Sequence, residues 1–189
     1  MKSSTLIALK HNNMKSKHFF ATVIMLIGFI TIGKAQTTTD DMIKDWERAK
    51  AYTKEYLDAM PADKYALKPT PEMRSFAEQM LHLTDGNYGI TSAAAGVQSP
   101  IAFGAAEKST DKSKEAVTKQ VMDSYDFVMS TIKNMKPAQM GESIKIFDRF
   151  ILTRGQALAK VFEHQTHHRG QATVYIRLAG ATPPQEKLF

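Results

Sequence analysis

The chain has 189 residues, 43% of them hydrophobic and 23% charged, which fits one soluble globular domain with one sizeable core. It contains no cysteine, so disulfides, cysteine-based zinc sites and a thiol nucleophile are excluded, and a metal site has to be built from His, Asp and Glu. The formal net charge is +6, but this excess is carried by the first residues and is no evidence for nucleic-acid binding.

Residues 1–35 hold five lysines (Lys2, Lys10, Lys15, Lys17 and Lys34) and no acid; without them 20 basic residues face 19 acidic ones, a net charge of +1. The uncharged run Phe19 to Gly33 is 15 residues long, short of the roughly 20 needed to span a bilayer. Gly33 and Ala35 put small residues where a signal peptidase reads. The segment reads as a secretory signal peptide cleaved after Ala35, with Met14 a better start than Met1. The expected protein is exported to the periplasm or beyond, with no stable membrane insertion after cleavage; an uncleaved anchor is the alternative. The domain expected over 36–189 then carries four histidines: His82, His164, His167 and His168.

A first helix is expected from near Asp41, capped by Thr39 or Asp40, with Ile43, Trp46, Ala49, Tyr52, Tyr56 and Leu57 on its apolar stripe and Pro61 beyond its end. Thr70, Pro71 and Glu72 suit the start of a second helix running to near Ala95. Phe76, Met80 and Leu83 mark its stripe, His82 lies beside it, and Gly86, Gly89 and Gly96 weaken its second half. After a loop over 96–110, Thr110 or Asp111 opens a third helix to about Met135, with Val117, Val121, Tyr125, Val128 and Ile132 inward. Residues 143–147 alternate like a short strand or form an extended loop. The last helix runs from near Thr153 to near Gly180. Four helices with little strand predict an all-α four-helix bundle, and the loops near 96–110 and 136–152 are long enough to be functional.

Three of the six histidines fall in the run His164-Gln165-Thr166-His167-His168-Arg169-Gly170-Gln171. At about 100° per residue, Ala157, Val161, His164, His168, Ala172 and Tyr175 share one broad face. That face is apolar, so His164 and His168 point into the bundle one turn apart, an arrangement that binds a metal in zinc proteases. The glutamate those enzymes place between the histidines is absent. With His82 on another core helix, three imidazoles converge and leave a fourth position open, the catalytic arrangement for zinc. The competing reading is a set of hydrogen-bonded structural histidines, and spacing alone does not separate the two. His167 is the alternative ligand if the register differs by one. Asp85, within a turn of His82, and Glu78, one turn before it, are candidate acid or base residues, with a plain surface role as the alternative for Asp85. Gln171, at the edge of the ligand face, is the third candidate catalytic residue, expected to hydrogen-bond the site or a neighbouring helix. Arg169 lies off it and is expected to pair with Glu163 or Asp148.

The string from His164 to Gln171, followed by Tyr175 to Gly180 and then Pro183-Pro184, resembles the C-terminal signature of the DinB/YfiT-like superfamily. Arg74 to Leu83 resembles the second helix of that family, and Trp46 fits its first; the resemblance covers about residues 40–185. It implies an up-down-down-up four-helix bundle with a long crossover, and a divalent metal held by a histidine triad, here His82, His164 and His168. It also implies homodimers, and activities that include transfers using low-molecular-weight thiols and metal-dependent hydrolysis. Zinc is the first choice, with nickel, iron and manganese also compatible with imidazole. An exported member departs from the pattern, because the thiol cosubstrates are cytosolic. The reading is therefore an exported enzyme, hydrolase or thiol-dependent transferase, with a small-molecule substrate. A non-catalytic module binding metal or a small molecule is the alternative.

Overall fold

The computed structural model describes residues 38–189. The signal segment, the start at Met14 and the cleavage after Ala35 lie outside the described residues. Helix α1 (Thr39–Ala59) opens on a capping box in which the Asp41 amide donates to Thr38 Oγ1 at 3.1 Å and the Asp41 carboxylate accepts from the Thr38 amide. The cap is thus Thr38, just before the expected Thr39 or Asp40.

Helix α2 (Phe76–Ala95) begins five residues later than Pro71, because Thr70 and Pro71 are spent on a turn closed by the Met73 amide on the Thr70 carbonyl at 3.1 Å. Ser75 and Glu78 form its capping box, and the Phe76 and Ala77 amides donate back to Leu67 and Tyr65. Gly86 and Gly89 lie inside the helix, and Gly96 ends it at φ 71°, where a side chain would be strained. Helix α3 (Lys114–Asn134) is capped by Ser113; the expected starter Asp111 instead accepts the Ser113 amide at 2.9 Å in a turn that precedes the helix.

The ambiguous stretch is a strand after all. β1 (Ser143–Ile146) pairs antiparallel with β2 (Phe150–Thr153), Ile146 opposite Phe150 and Ser143 opposite Thr153. Helix α4 (Arg154–Leu178) follows at once, capped by Thr153 through the Gln156 amide at 3.2 Å.

Side-chain pairs give the helix directions. Between α2 and α4, Gln79 meets His168 while the Ala94 carbonyl meets Arg154, so these two run antiparallel. Between α2 and α3, Glu78 meets Lys112 just ahead of α3, and Asn87 meets Ser124, so these run parallel. Between α1 and α3, Thr53 meets Tyr125 and Asp58 meets Lys114, antiparallel again. Trp46 touches Phe162 and Tyr56 touches Thr173, so α1 and α4 run parallel. The result is an up-down-down-up four-helix bundle with a small hairpin, and the parallel α2–α3 pair requires the long crossover over 96–113.

The expected stripes are the core: Trp46, Leu57, Phe76, Met80, Leu83, Val121, Tyr125, Ile132, Val161 and Tyr175 are buried. Trp46 anchors one end, with Tyr125 and Phe162 edge-on at 5.5 and 5.3 Å. A buried polar layer joins α1, α3 and α4. The Tyr125 hydroxyl donates to Gln165 Oε1 at 2.8 Å, and the Arg169 guanidinium donates to the same oxygen at 3.0 Å and lies 4.5 Å over the Tyr52 ring. This corrects the expected Arg169 ion pair. Arg169 is buried on the α1 side, while Glu163 pairs with Lys160 and Asp148 with Lys145 on exposed surfaces. No helix among the described residues is long and apolar enough to cross a membrane.

Trp46→Ala removes the shared partner of two edge contacts from a closed core. A loss of about 3–5 kcal/mol is expected, seen as a lower urea midpoint with unchanged slope.

Candidate metal centre

The seam between α2 and α4 is made of two short patterns. On α2, Gln79, His82 and Gly86 follow one another at helical spacing on one face; on α4, His164, His168 and Gln171 do the same. Antiparallel packing sets Gln79 against His168 and Gly86 against His164. The three rings of His82, His164 and His168 come together with centroids 4.4–5.4 Å apart. Each offers one nitrogen within 4.8 Å of the others, a group that could hold a metal ion.

Each imidazole has its own positioning device. A Cβ at residue 86 would overlap Cε1 and Nδ1 of His164, so only glycine leaves room for that ring. His82 Nδ1 lies 3.0 Å from Glu107 Oε2, and the other Glu107 oxygen accepts from Arg74 Nε at 2.7 Å. The Gln79 carboxamide hydrogen-bonds His168 Nδ1 at 2.8 Å and also Gln171, whose own carboxamide reaches His167 at 2.9 Å. Outer partners of this kind fix the tautomer and orientation of a ligating imidazole. For His82 the Glu107 carboxylate accepts from Nδ1 and leaves Nε2 for the centre; at His168 the Gln79 amide nitrogen donates to Nδ1, so ligation through Nε2 requires that carboxamide to turn its oxygen toward the ring.

Burial, reinforced by the neighbouring imidazoles, pushes His164 down to about 4 and His168 to about 3. Both are therefore neutral at physiological pH, the form a metal requires. His164 Nδ1 is buried without a hydrogen-bond partner, a cost that ligation through this nitrogen would remove. Burial raises Glu107, but hydrogen bonds from Arg74 and His82 outweigh it and hold the carboxyl below the ordinary range.

His82, His164 and His168 converge. His167 is exposed and bonds Gln171 outside the cluster. Gln171 touches the site through Gln79. Asp85 is buried, but its two oxygens accept the Ala106 and Glu107 amides at 3.0 and 2.9 Å, so it pins the crossover and serves His82 only through Glu107. Glu78 caps α2 and pairs with Lys112, which holds its carboxyl down at about 2, too weak a base for proton abstraction. Sequence reasoning missed Gln79, Gly86 and Glu107. Gln79 and Gly86 were detectable as non-apolar residues at helical spacing from His82. Glu107 had no such signal, because the crossover brings it from 25 residues away.

In the metal-free protein the lowered histidines make stability depend on pH. The unfolded histidines take protons near 6.5 while the folded ones resist to about 4 and 3, so stability falls as pH drops through this window and levels off below it. Urea midpoints measured from pH 7 to 4 should show the decline. In Gly86→Ala the His164 ring is expelled toward solvent, and its pKa, read by NMR, is expected to rise from about 4 toward 6.5. Helix α2 itself should gain, since alanine is favoured over glycine by about 1 kcal/mol. An unchanged His164 titration in this variant would contradict the packing described.

A search of curated proteins gave no match. The fold is similar to several crystal structures. A DinB-like protein from Bacillus cereus ATCC 10987 aligns with TM-score 0.70 at 16% identity, over 80% of this chain and 99% of that one. A DinB-like protein from Bacillus subtilis aligns with TM-score 0.61 at 18% identity, over 77% and 95%. A conserved protein from Enterococcus faecalis aligns with TM-score 0.62 at 18% identity, over 77% and 98%. At these identities the likeness concerns the fold. The sequence itself matches the model of the DinB family over residues 35–188, nearly all of the described chain and both halves of the histidine seam. The resemblance read over about residues 40–185 thus holds through the whole bundle, and the chain belongs to the DinB family.

Proposed function

We propose that this chain is an exported, metal-dependent enzyme acting on a small molecule, with His82, His164 and His168 as ligands of a divalent transition metal. The observation that carries the reading is the convergence of three imidazoles, two of them held neutral, where His168 is 7% exposed and His82 and His164 are half-buried. The orphaned His164 Nδ1 and the side-chain-free cradle at Gly86 support the fit. Zinc suits three imidazoles with an open position; nickel, iron and manganese are the other candidates. A bound ion would supply Lewis acidity and a nucleophile near neutral pH.

The chain's own residues do the positioning. Glu107 holds His82, Gln79 holds His168, and Asp85 holds the loop that carries Glu107. Hydrolysis and thiol-dependent transfer are the two reaction classes proposed. Export favours hydrolysis, since water needs no cytosolic cosubstrate. A homodimer is part of the proposal. One observation favours the non-catalytic alternative, a metal- or small-molecule-binding module: Glu78 and Asp85 are both committed to structural bonds, so neither serves as the acid or base.

Metal content tests the reading. The untagged protein should carry about one equivalent of a transition metal per chain, His168→Ala should carry none, and Glu107→Gln should bind about 10–100-fold more weakly. No metal in the wild type, even after reconstitution with zinc or nickel, would leave three structural histidines and sink the enzyme proposal. Hydrolysis and thiol-transfer assays on the loaded protein then separate enzyme from binding module.

A further inference from the structure

Two irregular segments flank the histidine seam: the crossover over 96–113 and the hairpin of β1 and β2. Each sets an aromatic ring in solvent. Phe103 is 72% exposed and Phe147 54%, yet the two rings meet edge to face at 6.0 Å. Phe103 lies against Gly89, where a Cβ would come within 2.9 Å of its Cδ2. Gly89 is three residues beyond Gly86, on which the His164 ring rests, so the two rings occupy successive turns of one side of α2. Four residues after Phe103 on the same crossover, Glu107 bonds His82. The aromatic pair therefore adjoins the triad.

The backbone supplies a second, independent observation. Phe147 and Asp148 have φ of 51° and 53°, and the Arg149 amide donates to the Ile146 carbonyl at 3.1 Å. This is a turn with both central residues left-handed, a place for Asn or Gly. A phenylalanine there is strained, and its exposed ring gains little burial in return. Such residues gather at ligand sites. Phe150 and Ile151, farther along the same hairpin, are also exposed, and the Arg149 guanidinium lies 5.3 Å from the Phe150 ring centroid. The two rings that meet here, one from each segment, match the size of a phenyl or short alkyl group.

We infer that Phe103 and Phe147 form an apolar subsite beside the triad, which receives the aryl or alkyl portion of a small molecule whose polar group reaches the histidines. Only the polar end rests on the metal-site proposal.

Two titrations of the full-length protein separate the two ideas. The metal-free protein is titrated with para-fluorobenzyl alcohol and followed by fluorine NMR, which reads the subsite alone. The cobalt-loaded protein is titrated with phenylmethanethiol and with mercaptoethanol and followed by its visible absorption. The variants are Phe103→Ala and Phe147→Asn; the second suits the left-handed turn, so its folding is safeguarded. The wild type is expected to prefer phenylmethanethiol by about tenfold, and each variant by less than about twofold. The fluorine shift should be lost in both. An equal thiol preference in wild type and variants would overturn the inference. So would a change in sedimentation on Phe103→Ala, which would mark the rings as a contact between copies of the chain. If the wild type takes up no cobalt, the metal proposal fails by itself, and the fluorine response alone decides the subsite.

Discussion

His164 can reach the face of α2 only because residue 86 has no side chain, and the rest of the site depends on that close approach. The α2–α4 seam is tight enough there to hold one imidazole between backbone and ring neighbours. His82 and His168 join it from the two helices, and the same closeness removes the water that would let His164 and His168 carry charge. Packing and electrostatics thus act in one direction: a seam that favours metal-competent, neutral histidines is the seam that a small residue on α2 makes possible.

The parallel α2–α3 pair has a consequence of its own. It obliges the chain to cross the length of the bundle over 96–113, and the crossover is then available to furnish the site. Asp85 fastens it by accepting two successive amides, and the second of these belongs to Glu107, which holds His82. A buried carboxylate, a loop and an imidazole form a chain of support, and the acid nearest to His82 in sequence acts at one remove. The same crossover brings Phe103 over Gly89, so one segment provides both the hydrogen bond behind His82 and an apolar ring one turn along α2 from His164.

The opposite side of α4 carries a different solution to burial. Arg169 follows His168 directly but points about 100° away, into the layer of Tyr52, Tyr125 and Gln165. A buried guanidinium with an amide oxygen and an aromatic face around it ties α4 to α1 and α3. Within one helical turn, α4 therefore holds neutral imidazoles against α2 and a permanent cation against α1. The HRGQ run encodes both functions because successive residues of a helix face different neighbours.

Apolar periodicity was enough to determine the four helices and nearly all of their inward faces, since a helix with Val117, Val121, Tyr125, Val128 and Ile132 at these intervals has one way to bury them. The four-residue spacing of His164 and His168 likewise placed them together, because it depends only on helix geometry. Helix starts were less legible: Ser75 and Ser113 displace Pro71 and Asp111 because turn hydrogen bonds compete with capping in ways that residue type alone does not resolve. Tertiary structure decided the partners. Gln79 against His168, Gly86 beneath His164, Glu107 behind His82 and Phe103 beside Phe147 all join segments far apart in the chain. Local periodicity records which way a side chain faces; what it meets there is set by the direction and register of the helices, and those exist only once the bundle has formed.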